Sequence, residues 1–212
     1  MGEPTAADFD TQHVAKRHPT IRPKPAASLI LIKSGSNGCT YLMGRRAASL
    51  AFMPGYFVFP GGRLERQDRI IRAPQIHDEK RLGPLGVRLA ACAVRELHEE
   101  TGLSLPNDIR LRYVARAITP PGHIRRYDTR FFAANVADTF GDADAITPQD
   151  DELDPIGWYA RQDIPRGRLH RITALVLDTL VARLVKDPTL GDDETPIPCF
   201  RFRSGKPVVD PA

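Results

Sequence analysis

The chain has 212 residues, 42% of them hydrophobic and 26% charged, with 30 basic side chains against 26 acidic ones. That length suffices to bury about 70% of the unfolded surface around one core, and the balance excludes a disordered or collagen-like protein. A net charge of +4 is too modest for a dedicated nucleic-acid binder.

No apolar run approaches the ~20 residues that cross a bilayer, and no apolar leader segment follows Met1. Cys39, Cys92 and Cys199 form no CxxC pair, which fits a reducing, cytoplasmic setting better than a disulfide framework. The basic residues are 24 Arg and only 6 Lys. Arginine forks suit phosphate, although a GC-rich coding bias yields the same excess.

Residues 1–25, polar and broken by Pro19, Pro23 and Pro25, are expected to form a flexible arm. A single domain is expected over 26–186. Within it, 26–33 and 39–45 read as a hairpin around Ser34-Gly35-Ser36-Asn37-Gly38. Tyr56-Phe57-Val58-Phe59 reads as a strand ending at Pro60-Gly61-Gly62, and 66–85 as a charged, irregular stretch closed by Gly83-Pro84. A helix is predicted from 85 or 86, with Leu89, Ala93 and Leu97 at four-residue steps and Gly102 as its stop. Residues 109–119 and 125–136 read as strands around Pro120-Pro121-Gly122, and Trp158-Tyr159 as part of another. Apolar residues at 169, 172, 176, 180 and 184, widened by Leu177 and Val181, predict a last helix over 169–186. So broad an apolar face is either buried or packed on a second subunit, which allows a homodimer. From 187 to 212 the chain reads as a polar tail with one apolar island, 197–202.

The segment Arg95-Glu96-Leu97-His98-Glu99-Glu100-Thr101-Gly102-Leu103 carries the chemistry. On a helix, Glu96, Glu99 and Glu100 share one face and repel one another. A hard divalent cation with oxygen ligands, Mg²⁺ or Mn²⁺, turns that repulsion into binding. A solvated acidic helix face is the plain alternative. His98 points elsewhere on the helix and reads as a surface histidine.

Taken with Pro60-Gly61-Gly62 upstream, this segment resembles the signature of the Nudix hydrolases, G-x5-E-x7-R-E-U-x-E-E-x-G-U with U apolar. Leu97 and Leu103 fill the two late apolar positions. Asp68 stands where the signature has Glu, and 26 residues separate it from Arg95 where the signature has 7, an insertion of 19. That insertion, together with Arg126-Tyr127-Asp128-Thr129-Arg130-Phe131-Phe132, resembles the branch of coenzyme A diphosphatases. Asp151-Glu152-Leu153 ahead of Trp158 resembles the acidic loop that follows the box in this family.

The resemblance implies an α/β/α sandwich, a mixed β-sheet between helices. It also implies hydrolysis of a diphosphate in a small nucleoside diphosphate-linked substrate, with coenzyme A or acyl-CoA first and ADP-ribose or NADH next. Glu96, Glu99 and Glu100 would hold the metal, with a backbone carbonyl of Gly61 as a further ligand and Arg95 orienting the carboxylates. Glu100 and Glu152 are both candidates for the general base. Asp68 is a weaker one, because the inserted loop is free to carry it away. Arg126, Asp128 and Arg130 alternate along one strand and share a face, either as a phosphate clamp or as a cross-strand salt-bridge ladder. Arg66, Arg69, Arg72, Lys80 and Arg81 make the insertion either a lid or a solvated loop. Two other functions stay open: a Nudix-fold sensor or scaffold without turnover, and a pyrophosphohydrolase acting on RNA 5′ ends.

Overall fold

A computed structural model of the protein describes residues 21–211, apart from 37, 51, 70–73, 78, 107–108, 124, 137–142, 166, 192–193 and 204–205. All but the last few residues of the expected N-terminal arm, and Arg72, lie outside the described residues.

Strand β1 (Lys24–Gly35) is the centre of the molecule. Its apolar run serves two layers: Ala27, Leu29 and Leu31 face one core, Ile30 and Ile32 the other. A strand buried on both faces reads as a continuous apolar run rather than an alternation. It turns back into β2 (Gly38–Arg46), with Ile32 opposite Tyr41 and Gly35 opposite Gly38. Two short strands follow, β3 (Phe57–Val58) against β2 and β4 (Gly61–Arg63) against the first half of β1. After the insertion come the helix α2 (Gly86–Thr101), β6 (Arg110–Ile118), β7 (Tyr127–Asn135), β8 (Leu153–Ala160) and α3 (Arg171–Lys186).

The sheet runs β10-β9-β6-β7-β1-β2-β3, where β9 is Pro198–Arg203 and β10 is Lys206–Pro211, with β4 on β1 and β8 on β2. The central pair β1–β7 is parallel and the hairpins around it are antiparallel, so the sheet is mixed. Leu89, Ala90, Cys92, Ala93 and Leu97 of α2 close one core, and Val176, Leu177 and Leu180 of α3 the other. These are the two helical layers of the sandwich. Helix α2 stops at Gly102, whose φ of 74° is the left-handed conformation that ends helices at glycine. Helix α3 starts two residues later than the periodicity implies, because the His170 side chain accepts from the Ile172 N–H and caps it. Among the described residues no helix is long and apolar enough to cross a membrane.

Two expectations change. The tail over 187–212 contributes two strands, β9 and β10, to the sheet: β9 pairs in parallel with β6, placing Cys199 beside Arg116 and Phe200 beside Ala117. Its apolar island buries Ile197, Cys199 and Phe200, covering an edge that β6 would otherwise expose. The described residues of 66–85 are built into the fold as well. It holds a 3-10 turn (Gln67–Arg69), β5 (Gln75–Ile76) beside β6, and a one-turn helix α1 (Glu79–Leu82). Ile76 and Leu82 pack into the α2 core, and Arg81 donates to the Thr195 carbonyl at 3.0 Å, which ties this stretch down rather than leaving it a solvated loop. Of the two readings of the α3 stripe, burial is the one seen: Val176, Leu177 and Leu180 pack on the chain's own sheet.

Candidate active site

The C-terminal half of α2 lies over β4, and one arginine organises the contact. The Arg95 guanidinium is nearly buried and pairs at 2.8 Å with each of Asp68, Glu96 and Glu99, and it donates to the Arg63 carbonyl at 3.2 Å. Asp68 is 1% exposed and also accepts from the Glu65 N–H at 2.6 Å. The insertion therefore does not carry Asp68 away, because the extra chain departs after it. A planar fork is what lets one side chain serve three carboxylates.

Glu96 rests against Gly62, where a Cβ would collide with its carboxylate. That collision predicts that Gly62→Ala keeps the fold but displaces Glu96, lowering turnover on the order of 10²-fold, the scale of a 1 Å misplacement. Steady-state kinetics beside a thermal melt checks it, and unchanged turnover would contradict it. Glu100 is 2% exposed and accepts from the Gly61 N–H at 2.9 Å. Burial first, then the neighbouring Glu96, pushes its carboxyl well above the usual range. Burial also lifts Glu96 to about 7, against the pull of Arg95 and with help from Glu99 and Glu152.

Glu152 reaches this cluster from far along the chain. The last carbonyls of a helix lack partners within it, and here the loop before β8 supplies them. Thr147 N–H donates to Thr101 and Gln149 N–H to Glu99, each at 2.9 Å. His98 joins the same seam through the Gln149 amide at 2.9 Å, which gives it a structural place beside the site. Glu152 then pairs with Arg46 at 2.7 Å, and its carbonyl accepts from the Ala47 N–H at 3.0 Å.

Arg126, Asp128 and Arg130 are placed differently from one another. Arg126 donates to the carbonyls of Thr119 and Ile21, so its guanidinium ties the end of β6 to the segment entering β1. Asp128 takes a bidentate contact from Arg116 at 2.7 Å and a second partner, Arg130, at 3.0 Å. Burial opposes its charge, but these two arginines hold the Asp128 carboxyl below its usual range. Both readings of this strand have a basis here. The ladder is present, and it lies in one row with the site: Gly62 pairs with Ala27, Ala27 with Arg130, and Arg130 with Arg116. Paired residues point to the same face, so Arg130 stands about 10 Å, two strand spacings, from Gly62.

Sequence reading missed Arg116, which only strand pairing brings to Asp128. It also missed a cleft of about 760 Å³ lined by Arg45, Arg46, Gly55, Asp150, Asp151 and Arg168. The adjacent pair Arg45-Arg46 at the end of β2 was the available signal.

The family description of the NUDIX domain matches residues 22–180. The chain belongs to the Nudix family. Several Nudix proteins share its fold. A Nudix hydrolase from Alicyclobacillus acidocaldarius superposes with a TM-score of 0.57 at 22% identity, over 80% of this chain and 88% of that one. For the MutT Nudix hydrolase of Burkholderia pseudomallei the values are 0.53 and 18%, over 76% and 99%. The Nudix domain of Shewanella oneidensis NrtR, solved with ADP ribose, gives 0.51 and 14%, over 84% and 99%. No curated protein sequence matches the chain significantly.

With the family comes the class: a Nudix-type hydrolase, which cleaves pyrophosphate bonds of nucleoside diphosphate derivatives and in general uses divalent metal ions. The donors suit such an ion, since Glu96, Glu99, Glu100 and Glu152 offer only oxygen. Among the described residues no three acidic, histidine or cysteine side chains converge into a ready metal cluster. The reason is visible in the pairing, because Arg95 holds Glu96 and Glu99 while Gly61 holds Glu100. Five carboxylates including Asp68 face two guanidinium groups, Arg95 and Arg46, and a cation offsets that excess. Since burial raises the Glu96 carboxyl to about 7 and pushes the Glu100 carboxyl well above its usual range, loading Mg²⁺ or Mn²⁺ at pH 7 is expected to expel protons. Titration heats that vary with the ionisation enthalpy of the buffer, and affinity that falls below pH 7, are the expected result. Heats independent of buffer would contradict it.

Proposed function

We propose that this Nudix hydrolase uses water to split the diphosphate of a soluble nucleoside diphosphate-linked compound. Coenzyme A or an acyl-CoA is the first substrate, on the resemblance of the insertion and of the segment from Arg126 to Phe132. ADP-ribose and NADH come next, and ADP ribose is the ligand of the NrtR domain that shares the fold. The observation that carries the reading is the meeting of Glu96, Glu99 and Glu100 with Arg95 and Asp68 beside Gly61-Gly62.

In this reading Glu96, Glu99 and Glu100, with a carbonyl of Gly61, hold Mg²⁺ or Mn²⁺, which neutralises the diphosphate and lowers the pKa of water. Arg95 keeps two of the three carboxylates aimed, and Asp68 keeps Arg95 in place. Glu152 or Glu100 takes the proton from the attacking water. Glu152 is the better placed of the two, part-exposed and paired with the cleft residue Arg46, whereas Glu100 is buried. Arg130, fixed by Asp128, contacts a phosphate, while Arg126 serves the turn behind it. Three free thiols, Cys39, Cys92 and Cys199, are in keeping with a cytoplasmic setting.

The full set of box carboxylates favours turnover over a silent sensor. A screen of coenzyme A, acyl-CoA, ADP-ribose, NADH and nucleoside triphosphates with Mg²⁺ or Mn²⁺, read by product mass, tests the proposal with Glu99→Gln as the blank. Cleavage of one compound by the wild type alone is expected. Silence across the panel from a folded, metal-binding protein would overturn it in favour of a sensor.

A further inference from the structure

Arg46 stands at the boundary between the acidic site and the arginine-lined cleft. Its backbone is fixed on both sides, the N–H donating to Tyr56 at 2.9 Å and the carbonyl accepting from Gly55 at 2.8 Å. Its Nε is held by the Phe52 carbonyl at 2.8 Å, which leaves Nη1 for Glu152 at 2.7 Å. The arginine side chain is 12% exposed and the glutamate 38%, so the anchored partner is the cation and the movable one is the acid. Glu152 is tied through its backbone carbonyl, to Ala47 N–H; only its side chain has room to swing. Three residues before it, the Gln149 N–H donates to the Glu99 carbonyl at 2.9 Å, so Glu152 borders the box.

We propose that Arg46 is a shared partner: it holds the Glu152 carboxylate in the free protein, and a phosphate of the entering substrate displaces that carboxylate. The guanidinium fork accepts a phosphate at least as well as a carboxylate, and Arg45 and Arg168 line the same cleft. A diphosphate carries more charge than one carboxylate and meets several arginines together, so it wins the exchange. Glu152, freed from its ion pair, then turns toward the box carboxylates and the attacking water. Substrate arrival and release of the base are one event. Arg46 is therefore a phosphate contact and, through Glu152, a positioning residue. The assignment of Glu152 as base rests on the hydrolase reading; the exchange at Arg46 does not.

The test is a binding cycle on the full chain, without metal, using α,β-methylene-ADP as the probe and calorimetric titration as the readout. Arg46→Gln should weaken binding about tenfold, the worth of one charge-assisted hydrogen bond. Glu152→Gln should tighten binding several-fold, because the competitor for Arg46 is gone. In the Arg46→Gln background, Glu152→Gln should change nothing. Equal tightening in both backgrounds would reduce Glu152 to a general repulsion and overturn the exchange, as would no loss in Arg46→Gln or no binding by the wild type. If Arg46→Gln does not fold, Arg46→Lys takes its place in the cycle. It keeps the charge, but its single ammonium cannot serve Phe52 and a phosphate fork together, so most of the coupling should still disappear. Wild-type turnover, scored separately, divides the two claims. The expected cycle without turnover sinks the hydrolase reading alone, and turnover with an additive cycle sinks the exchange alone.

Discussion

Replacing Glu100 by Gln is expected to lower turnover by at least about a thousandfold, at the upper end of what one charge-stabilising group contributes, while the protein stays folded. The side chain is buried and accepts the Gly61 N–H, and an amide oxygen accepts that bond equally well. Its carboxyl is pushed well above the ordinary range by burial and by Glu96, which favours its neutral form. Glutamine mimics that neutral form in shape and charge. The same argument fixes a sign for stability. A carboxyl whose folded pKa is raised stabilises the fold below its unfolded value of 4.5, and that contribution is lost as pH rises through the folded value, about 7 for Glu96. Metal-free wild type should therefore lose stability between pH 5 and pH 8 as these groups ionise, and Glu100→Gln should lose less. Glu99→Gln should abolish turnover as well with little change in melting, since the Glu99 side chain is 40% exposed. Denaturant melts at both pH values beside initial rates check all three statements. Turnover unchanged in both variants would remove these residues from the mechanism.

Asp68→Ala is expected to damage the fold itself. Asp68 is fully buried, and its partner Arg95 is nearly so. Deleting one partner of a buried pair leaves an uncompensated charge and costs about 3–5 kcal/mol. Arg95 keeps Glu96 and Glu99, which places the expected loss near the lower end of that range. Turnover should fall with it, because the arginine that aims two box carboxylates loses its own support. A loss below about 1 kcal/mol, the size of a surface pair, would mean that Arg95 is held by its other contacts.

Much of the site was legible in the order of residues because helix geometry is local. Glu96, Glu99 and Glu100 share a face by spacing alone, and Gly102 ends α2 for a reason visible in one residue. The central strand β1 follows from an equally short pattern, whereas Gly61-Gly62, which read as a turn, begins the short strand β4 against β1. What escaped depends on contacts between distant segments. Arg116 meets Asp128 only through the β6–β7 register, and Arg46 meets Glu152 only because β8 lies against β2. Asp68 was hard to place because an insertion separates it from Arg95, and sequence distance does not report that the chain returns to the same point. The segment from 187 to 212 looked like a tail for a related reason. Its apolar residues are few and acquire meaning only once β9 lies in the sheet between β6 and β10. Arg126 shows the reverse error, since alternation put it on a shared face with Asp128 and Arg130 while two backbone carbonyls hold its guanidinium elsewhere.

The central claim is that water attacks a phosphorus of a nucleoside diphosphate derivative at a site built from Glu96, Glu99 and Glu100. Its most direct test is to incubate the substrate panel with metal-loaded wild type in ¹⁸O-labelled water and to weigh the phosphate-bearing products. The account predicts a pair of monophosphate products from one panel member, with a single solvent oxygen on one phosphate and no product from Glu100→Gln. Product formed equally by wild type and Glu100→Gln, or a metal-loaded wild type that leaves every compound intact, would contradict it.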